Sequence, residues 1–492
     1  MTTPTSRNSL FRTKSVEQSI RDTDEPGKKL RKELTSWDLG VFGVAVVIGA
    51  GIFTLTARTA GNVAGPAVSL AFVFAAIACG LTALCYAEFA STVPVAGSAY
   101  TFSYATFGEL AAWIIGWDLL LEFALAAAVV SKGWSQYLGQ VFDRGAAVVE
   151  IGGVTFDWGA VLLIAVLTTL LALGTKLSSR VSMIAVAIKV GVILLVIVVG
   201  LSFFDSANLT PFIPESVPGE GGQGLTQSLF SWVTGAGNST FGWYGLLAAA
   251  SLVFFAFIGF DVVATAAEET KNPQRDLPRG ILGSLIVVTI LYVAVTIVLT
   301  GMVPYTDLAG DNATLATAFA LNGATWAKNI ISIGALAGLT TVVMVMLLGQ
   351  TRVLFAMSRD GLVPRGLART GDRGTPVRIT VIVGVVCAIL AGFVKFGTLE
   401  EMVNIGTLFA FLLVSIGVVV LRRTRPDLPR GFKVPLVPFV PILAVLSCLW
   451  LMVNLSVETW LRFVVWMLLG LVMYFAYGRR HSLVGRSASE QE

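Results

Sequence analysis

Three acidic residues and one lysine carry most of the chemistry available inside the apolar segments of this chain. Glu109, Asp118 and Glu122 fall in one hydrophobic run. Lys189 lies midway through another, Ile184-Ala-Val-Ala-Ile-Lys189-Val-Gly-Val-Ile-Leu. Asp118 and Glu122 are four residues apart, so on a helix they share one face. An ionisable group at membrane depth is costly unless it is paired, hydrated or neutral, and by default it marks an ion path or a partner. Lys189 therefore has two readings: an ammonium that releases and regains a proton, or a permanently charged partner of Asp118 or Glu122. Glu122 sits deeper than Asp118 and is the better candidate for a transport path; locking two helices together is its alternative role. Other chemistries are excluded by what is missing. The only histidine, His481, is in the C-terminal tail, so a His-based metal site or catalytic triad is absent. The four cysteines, 79, 85, 387 and 448, fall within apolar runs and read as small packing residues, not a disulfide framework. The reading calls for no enzyme, cofactor or metal.

Backbone is the other source of chemistry. The stretch Val44-Ala-Val-Val-Ile-Gly49-Ala50-Gly51-Ile52-Phe53-Thr54 interrupts the first apolar run with two glycines. Each costs a helix roughly 1 kcal/mol relative to alanine, which permits unwinding. Unwound backbone at membrane depth survives only where it is buried in protein or lines a wet cavity. Its freed N–H groups, with the positive end of the following half-helix, can hold a carboxylate. Close helix packing is the competing use of such glycines. A second interruption decides for the first reading: Ser251-Leu-Val-Phe-Phe255-Ala-Phe257-Ile258-Gly259-Phe260-Asp261 breaks the sixth run at Gly259. Paired broken helices in matching places of two halves point to an inverted-repeat transporter and its binding site.

Composition sets the frame that must hold these groups. The 492 residues are 55% hydrophobic and 13% charged, with a mean hydropathy of +0.81. Soluble domains carry about 25% charged residues, so the chain is a polytopic membrane protein in a lipid bilayer. Twelve spans are expected, near 37–57, 67–90, 105–130, 158–175, 181–204, 241–264, 280–301, 326–357, 377–394, 401–421, 436–455 and 459–478. The first 35 residues are polar and contain no cleavable signal peptide; their basic cluster, Lys28-Lys29-Leu30-Arg31-Lys32, suits an anionic headgroup surface. With both termini in the cytoplasm, 27 of the 34 Lys and Arg residues face inward and six (Arg58, Lys132, Arg144, Lys328, Lys395 and Arg462) face outward. That asymmetry obeys the positive-inside rule. The net charge of +4 thus reports topology and not nucleic-acid binding.

Between these features the chain supplies three further signals. Ser36-Trp37-Asp38 reads as a helix start with an interfacial tryptophan. The connection from Ser91 to Gly108 has no Lys or Arg and reads as a gating segment partly in the membrane. In the eighth span, Thr340 and Thr341 either face the first helix's break or bond their own helix backbone.

With these residues in hand, the sequence resembles the amino acid–polyamine–organocation superfamily, and within it the bacterial cationic amino acid transporter family. The motifs are Ile48-Gly-Ala-Gly-Ile-Phe53, Tyr86-Ala-Glu88-Phe, Pro94-Val-Ala-Gly-Ser-Ala-Tyr100, Phe257-Ile-Gly-Phe-Asp261, the loop Glu268-Glu-Thr-Lys-Asn-Pro-Gln-Arg-Asp-Leu-Pro-Arg-Gly280, Gly374-Thr-Pro-Val-Arg378 and Val403-Asn-Ile-Gly-Thr-Leu408. The resemblance implies an all-α, leucine-transporter-type fold of 5+5 inverted repeats with discontinuous helices 1 and 6, plus two C-terminal helices. It divides the chain into a cytoplasmic tail (1–35), a first repeat (36–204), a second repeat (241–421), helices 11 and 12 (436–478) as a lipid-facing or dimerising appendage, and a second cytoplasmic tail (479–492). It implies secondary active uptake of L-amino acids at the plasma membrane. The substrate carboxylate would rest on the N–H groups of Ala50, Gly51 and Ile52, beside Ile48 and Gly49. Its ammonium would meet carbonyls around Phe254, Phe255, Phe257, Ile258 and Gly259. Lys189 matches the lysine that proton-coupled relatives carry near the place where sodium-coupled ones bind an ion. Thr340 and Thr341 keep sodium coupling open. Glu122 suits a cationic substrate; Phe254, Phe255 and Ala126 leave small neutral ones equally open. Alternatives are an exchanger or facilitator without proton coupling and, from another class, a channel or sensing receptor. A small accessory membrane subunit or a homodimer stays open as a partner.

Overall fold

The computed structural model describes residues 34–93, 98–142, 147–152, 154–174, 179–218, 224–235, 239–310, 313–369 and 375–483. The basic cluster at 28–32, Pro94-Val-Ala-Gly97 and Gly374 lie outside them. Nearly everything described is helix, as backbone without water requires, because a helix satisfies its own N–H and C=O groups. Twelve spans run up and down through the molecule. The first comprises Ser36–Val47 and, after a break, the turns from Gly51 to Ala64. The second to fifth are Val68–Thr92, Glu109–Val141, Trp158–Ala172 and Ser179–Gly200. The sixth is Gly242–Val253 with Phe254–Phe257 and, after another break, Asp261–Glu269. The seventh to twelfth are Pro273–Met302, Thr325–Arg359, Val377–Phe393, Phe396–Thr424, Phe439–Val453 and Val457–Met473.

Local chemistry sets the ends. The first span begins at Ser36, where its Ser-Trp-Asp signal stands, and Thr35 is the cap: the Asp38 carboxylate accepts from the Thr35 N–H at 2.9 Å while the Asp38 N–H reaches the Thr35 hydroxyl at 3.4 Å. This reciprocal capping box satisfies two orphan donors. Asp157 caps the fourth span through the Ala160 N–H at 3.0 Å, which starts that span directly after a two-stranded hairpin, Val148–Ile151 against Val154–Asp157. The segment expected to run continuously from 105 divides: a short helix, Ser98–Thr106, turns at Gly108 (φ 93°) into the third span.

The third span is the central post, packed against the eighth, ninth and tenth, while the seventh packs against the first and second. The fourth, fifth, ninth and eleventh spans present rows of exposed apolar side chains to the lipid, among them Leu162, Val166, Ile184, Leu194, Val385, Ile389 and Leu446. The last two spans are more firmly built in than an appendage. Trp466 of the twelfth stacks on Trp117 of the third at 4.5 Å, and the Trp113 indole N–H donates to the Gly470 carbonyl at 2.8 Å. Their outer faces, with Leu443, Val465 and Leu468, remain exposed.

Polar networks close both ends. At the end that carries Leu34 and Leu483, the Glu88 carboxylate takes Arg422 at 2.8 and 2.5 Å, Arg430 at 3.4 Å and the Val434 N–H at 2.7 Å. At the other end Arg58 meets Glu400 at 3.6 Å, and Lys132 meets Asp157 at 3.6 Å. All four cysteines are buried free thiols.

Candidate functional site

Both interruptions are open breaks and not tight kinks. The first half-helix ends as Ile48 turns to φ −69°, ψ 92°, its N–H still bonded to the Val44 carbonyl at 3.0 Å. The second half resumes with the Phe53 N–H on the Gly49 carbonyl at 3.5 Å. Helix ends leave their terminal groups without helical partners. The carbonyls of residues 45–48 and the N–H groups of residues 50–52 are therefore free within this span. In the sixth span the Ile258 N–H closes on the Phe255 carbonyl at 3.2 Å, and Gly259 then adopts φ 120°. That leaves the carbonyls of Ala256, Phe257 and Ile258 without helical partners, whereas the Phe255 carbonyl is engaged locally. The left-handed φ of Gly259 suits glycine, and a Cβ there would lie 2.8 Å from Val46.

The two glycines of the first break do different work. A Cβ on Gly51 would lie 2.2 Å from the Ala256 Cα, so Gly51 is where the two broken spans cross. A Cβ on Gly49 would meet Val342 side-chain atoms at 3.6 Å and the Val47 carbonyl oxygen at 3.8 Å, ordinary contacts.

Between the breaks lies a small cavity of about 20 Å³, room for about one water molecule. Val46, Val47, Gly49, Ala50 and Gly51 of the first span form one wall. Ala126 and Val130 of the third, Phe255 and Ile258 of the sixth, and Val342 and Met346 of the eighth form the others. Every lining side chain is apolar. Ile48, Ile52, Phe254, Phe257 and Gly259 are buried but do not line the cavity. Glu122 is also buried but does not line the cavity. Asp118 is fully buried, and neither of its carboxylate oxygens has a hydrogen-bond partner among the described residues. Gly406 of the tenth span lies against it, where a Cβ would come within 3.0 Å of Oδ1.

Lys189 is 1% exposed, and its ammonium donates to the Ala45 carbonyl at 2.7 Å. Its observed partner is thus the freed end of the first half-helix and not Asp118 or Glu122. The Thr340 and Thr341 hydroxyls donate to their own helix, to Leu336 and Gly338 carbonyls, both at 2.7 Å. Two tyrosines that sequence reasoning passed over also hold the first span. Tyr292 donates to the Val47 carbonyl at 2.8 Å and Tyr137 to the Phe53 carbonyl at 2.6 Å. Their signal was available: a tyrosine deep in an apolar run needs a partner for its hydroxyl.

Comparison with known proteins adds an independent line. A family profile described as "Amino acid permease" matches residues 34–475, and the chain is 46% identical to the branched-chain amino acid permease BcaP of Bacillus subtilis over 97% of this chain and 99% of that one. The chain belongs to the amino acid permease family, in the amino acid–polyamine–organocation superfamily. This permease is also 41% identical to the methylthioribose transporter of Bacillus subtilis, over 97% of this chain and all of the relative. It is 30% identical to the vacuolar cationic amino acid transporter 4 of Arabidopsis thaliana, over 98% of this chain and 97% of that one. It is an amino acid transporter of the membrane, not an enzyme, and its fold is the all-α one of broken first and sixth helices.

Proposed function

We propose that this permease is a proton-coupled symporter that imports neutral, apolar L-amino acids across the plasma membrane, with both termini in the cytoplasm. One observation carries the substrate class. All side chains lining the cavity are apolar, and a cationic side chain placed there would find no carboxylate in that lining. Burying an unpaired charge is far more costly than burying a branched aliphatic group. The Bacillus subtilis relative, named a branched-chain amino acid permease, fits such a substrate class. The zwitterion's carboxylate would lie on the free N–H groups of Ala50, Gly51 and Ile52, and its ammonium on the free carbonyls of Ala256, Phe257 and Ile258. At about 20 Å³ the cavity is too small for a substrate, so these walls must part to admit one.

Lys189 carries the coupling. Protonated, its ammonium bonds the Ala45 carbonyl and supplies the positive charge that a metal cation would supply against the freed carbonyls. Release of that proton to the cytoplasm removes the charge, loosens the first half-helix and favours opening inward. Moving one charge inward is worth about 2.3 kcal/mol per 100 mV of membrane potential.

Uptake of radiolabelled L-isoleucine and L-arginine into proteoliposomes, with and without an inward pH gradient, tests both parts. Isoleucine uptake is expected to rise with the gradient, and Lys189→Ala to abolish that dependence. Gradient-driven uptake that survives Lys189→Ala leaves exchange or facilitation as the reading. A cationic substrate is favoured instead if arginine accumulates and Glu122→Gln removes its uptake while sparing isoleucine.

A further inference from the structure

We propose that the segment Tyr474–Leu483, at the end of the twelfth span, is a latch that holds the short helix Ser98–Thr106 against the ends of the third and eighth spans. Its anchor is Glu109, the first residue of the third span, 1% exposed. That carboxylate accepts from three hydroxyls: Tyr104 at 3.2 Å, Tyr474 at 3.0 Å and Ser482. Tyr104 belongs to the short helix Ser98–Thr106, so one buried carboxylate ties the chain's end to that helix.

A second clasp lies beside the first. The Leu483 N–H donates to the Asp360 carbonyl at 3.1 Å, while the Asp360 carboxylate accepts from Tyr100 of the same short helix at 2.7 Å. Asp360 follows the last residue of the eighth span. Next to it Gly361 (φ 80°) admits the His481 carbonyl so closely that a Cβ there would lie 2.4 Å away. One ten-residue segment thus fastens elements drawn from both halves of the chain. Ser482 is itself 1% exposed, so its hydroxyl is a buried part of the clasp and not a surface group.

The consequence follows from geometry and rests on the transport cycle proposed above. For the short helix Ser98–Thr106 to swing away from the third and eighth spans, the network it shares with the segment at Glu109 and Asp360 must first come apart. Ser482→Glu would set a second carboxylate against Glu109 in a buried site, where like charges repel strongly. Ser482→Thr keeps the donor.

Hydrogen–deuterium exchange on the full-length protein in lipid nanodiscs decides the matter. Ser482→Glu is expected to accelerate amide exchange at 98–107 and 358–362 at least tenfold while the 148–157 hairpin keeps its wild-type rate. Ser482→Thr is expected to match wild type throughout. Wild-type exchange at 98–107 in Ser482→Glu overturns the latch, and so does acceleration that spreads equally to the hairpin. Failure of the wild type to carry L-isoleucine would end the substrate reading and leave this result standing.

Discussion

At the scale of single residues, Gly49 and Gly51 look interchangeable in the sequence and are not. Both were legible as helix-weakening glycines, and the break did form where they stand. What the sequence could not convey was the partner: only the crossing of the two broken spans brings Ala256 onto Gly51. A methyl group forced into a filled contact typically costs 1–3 kcal/mol, and here it would push apart the walls of the cavity. Gly51→Ala is therefore expected to lose nearly all uptake and to lower the thermal midpoint in detergent. Gly49→Ala, with ordinary contact to Val342, is expected to keep wild-type expression and midpoint. Uptake assays and melting curves on the pair check this, and equal behaviour of the two variants would refute the assigned difference. The same limit explains Tyr292 and Tyr137. Their types were visible, but the carbonyls they serve exist only once the first span is broken and folded against its neighbours.

At the scale of elements, the position of Lys189 depends on a gap in the eighth span. Gly338 leaves room for the lysine stem, since a Cβ there would lie 2.8 Å from the Lys189 Cγ and 3.1 Å from its Cε. Span identity, the two breaks and the depth of Lys189 could all be read from hydropathy and glycine placement. Which helix faced the lysine could not, because a span that is apolar all round carries little information about its own rotation. For this reason the acids of the third span stood as possible partners until the Ala45 contact was seen. Gly338→Ala is expected to displace the ammonium from the Ala45 carbonyl and reproduce, in weaker form, the loss of gradient dependence in Lys189→Ala. Gly191→Ala, two residues from Lys189 and open to space on its own face, is expected to change nothing. Proteoliposome uptake with and without a pH gradient measures both. A Gly338→Ala protein with full gradient dependence would show that the stem tolerates the methyl group and that the packing does not fix the ammonium.

At the scale of the whole molecule, charge and architecture sort the chain into two different ends. The end that holds Leu34 and Leu483 also holds the Glu88 network with Arg422 and Arg430. The opposite end holds the hairpin at 148–157, the paired strands Val217–Pro218 and Ser239–Thr240, and few basic residues. Twelve crossings return the chain to its starting side, so a single orientation assigns every loop. Basic loops are retained on the cytoplasmic side during insertion, and the connections after the eighth and tenth spans, on the side of Leu34 and Leu483, carry Arg365, Arg369, Arg425, Arg430 and Lys433, so that end should lie inside. The four native cysteines are buried, so a single introduced thiol can report sidedness without removing them. Val149→Cys, in the exposed hairpin, is expected to react in intact cells with a membrane-impermeant maleimide. Arg369→Cys, exposed in the connection after the eighth span, is expected to react only after the membrane is opened. The reverse pattern would invert the molecule, turning the proposed importer's proton release toward the outside and removing the basis for inward coupling through Lys189.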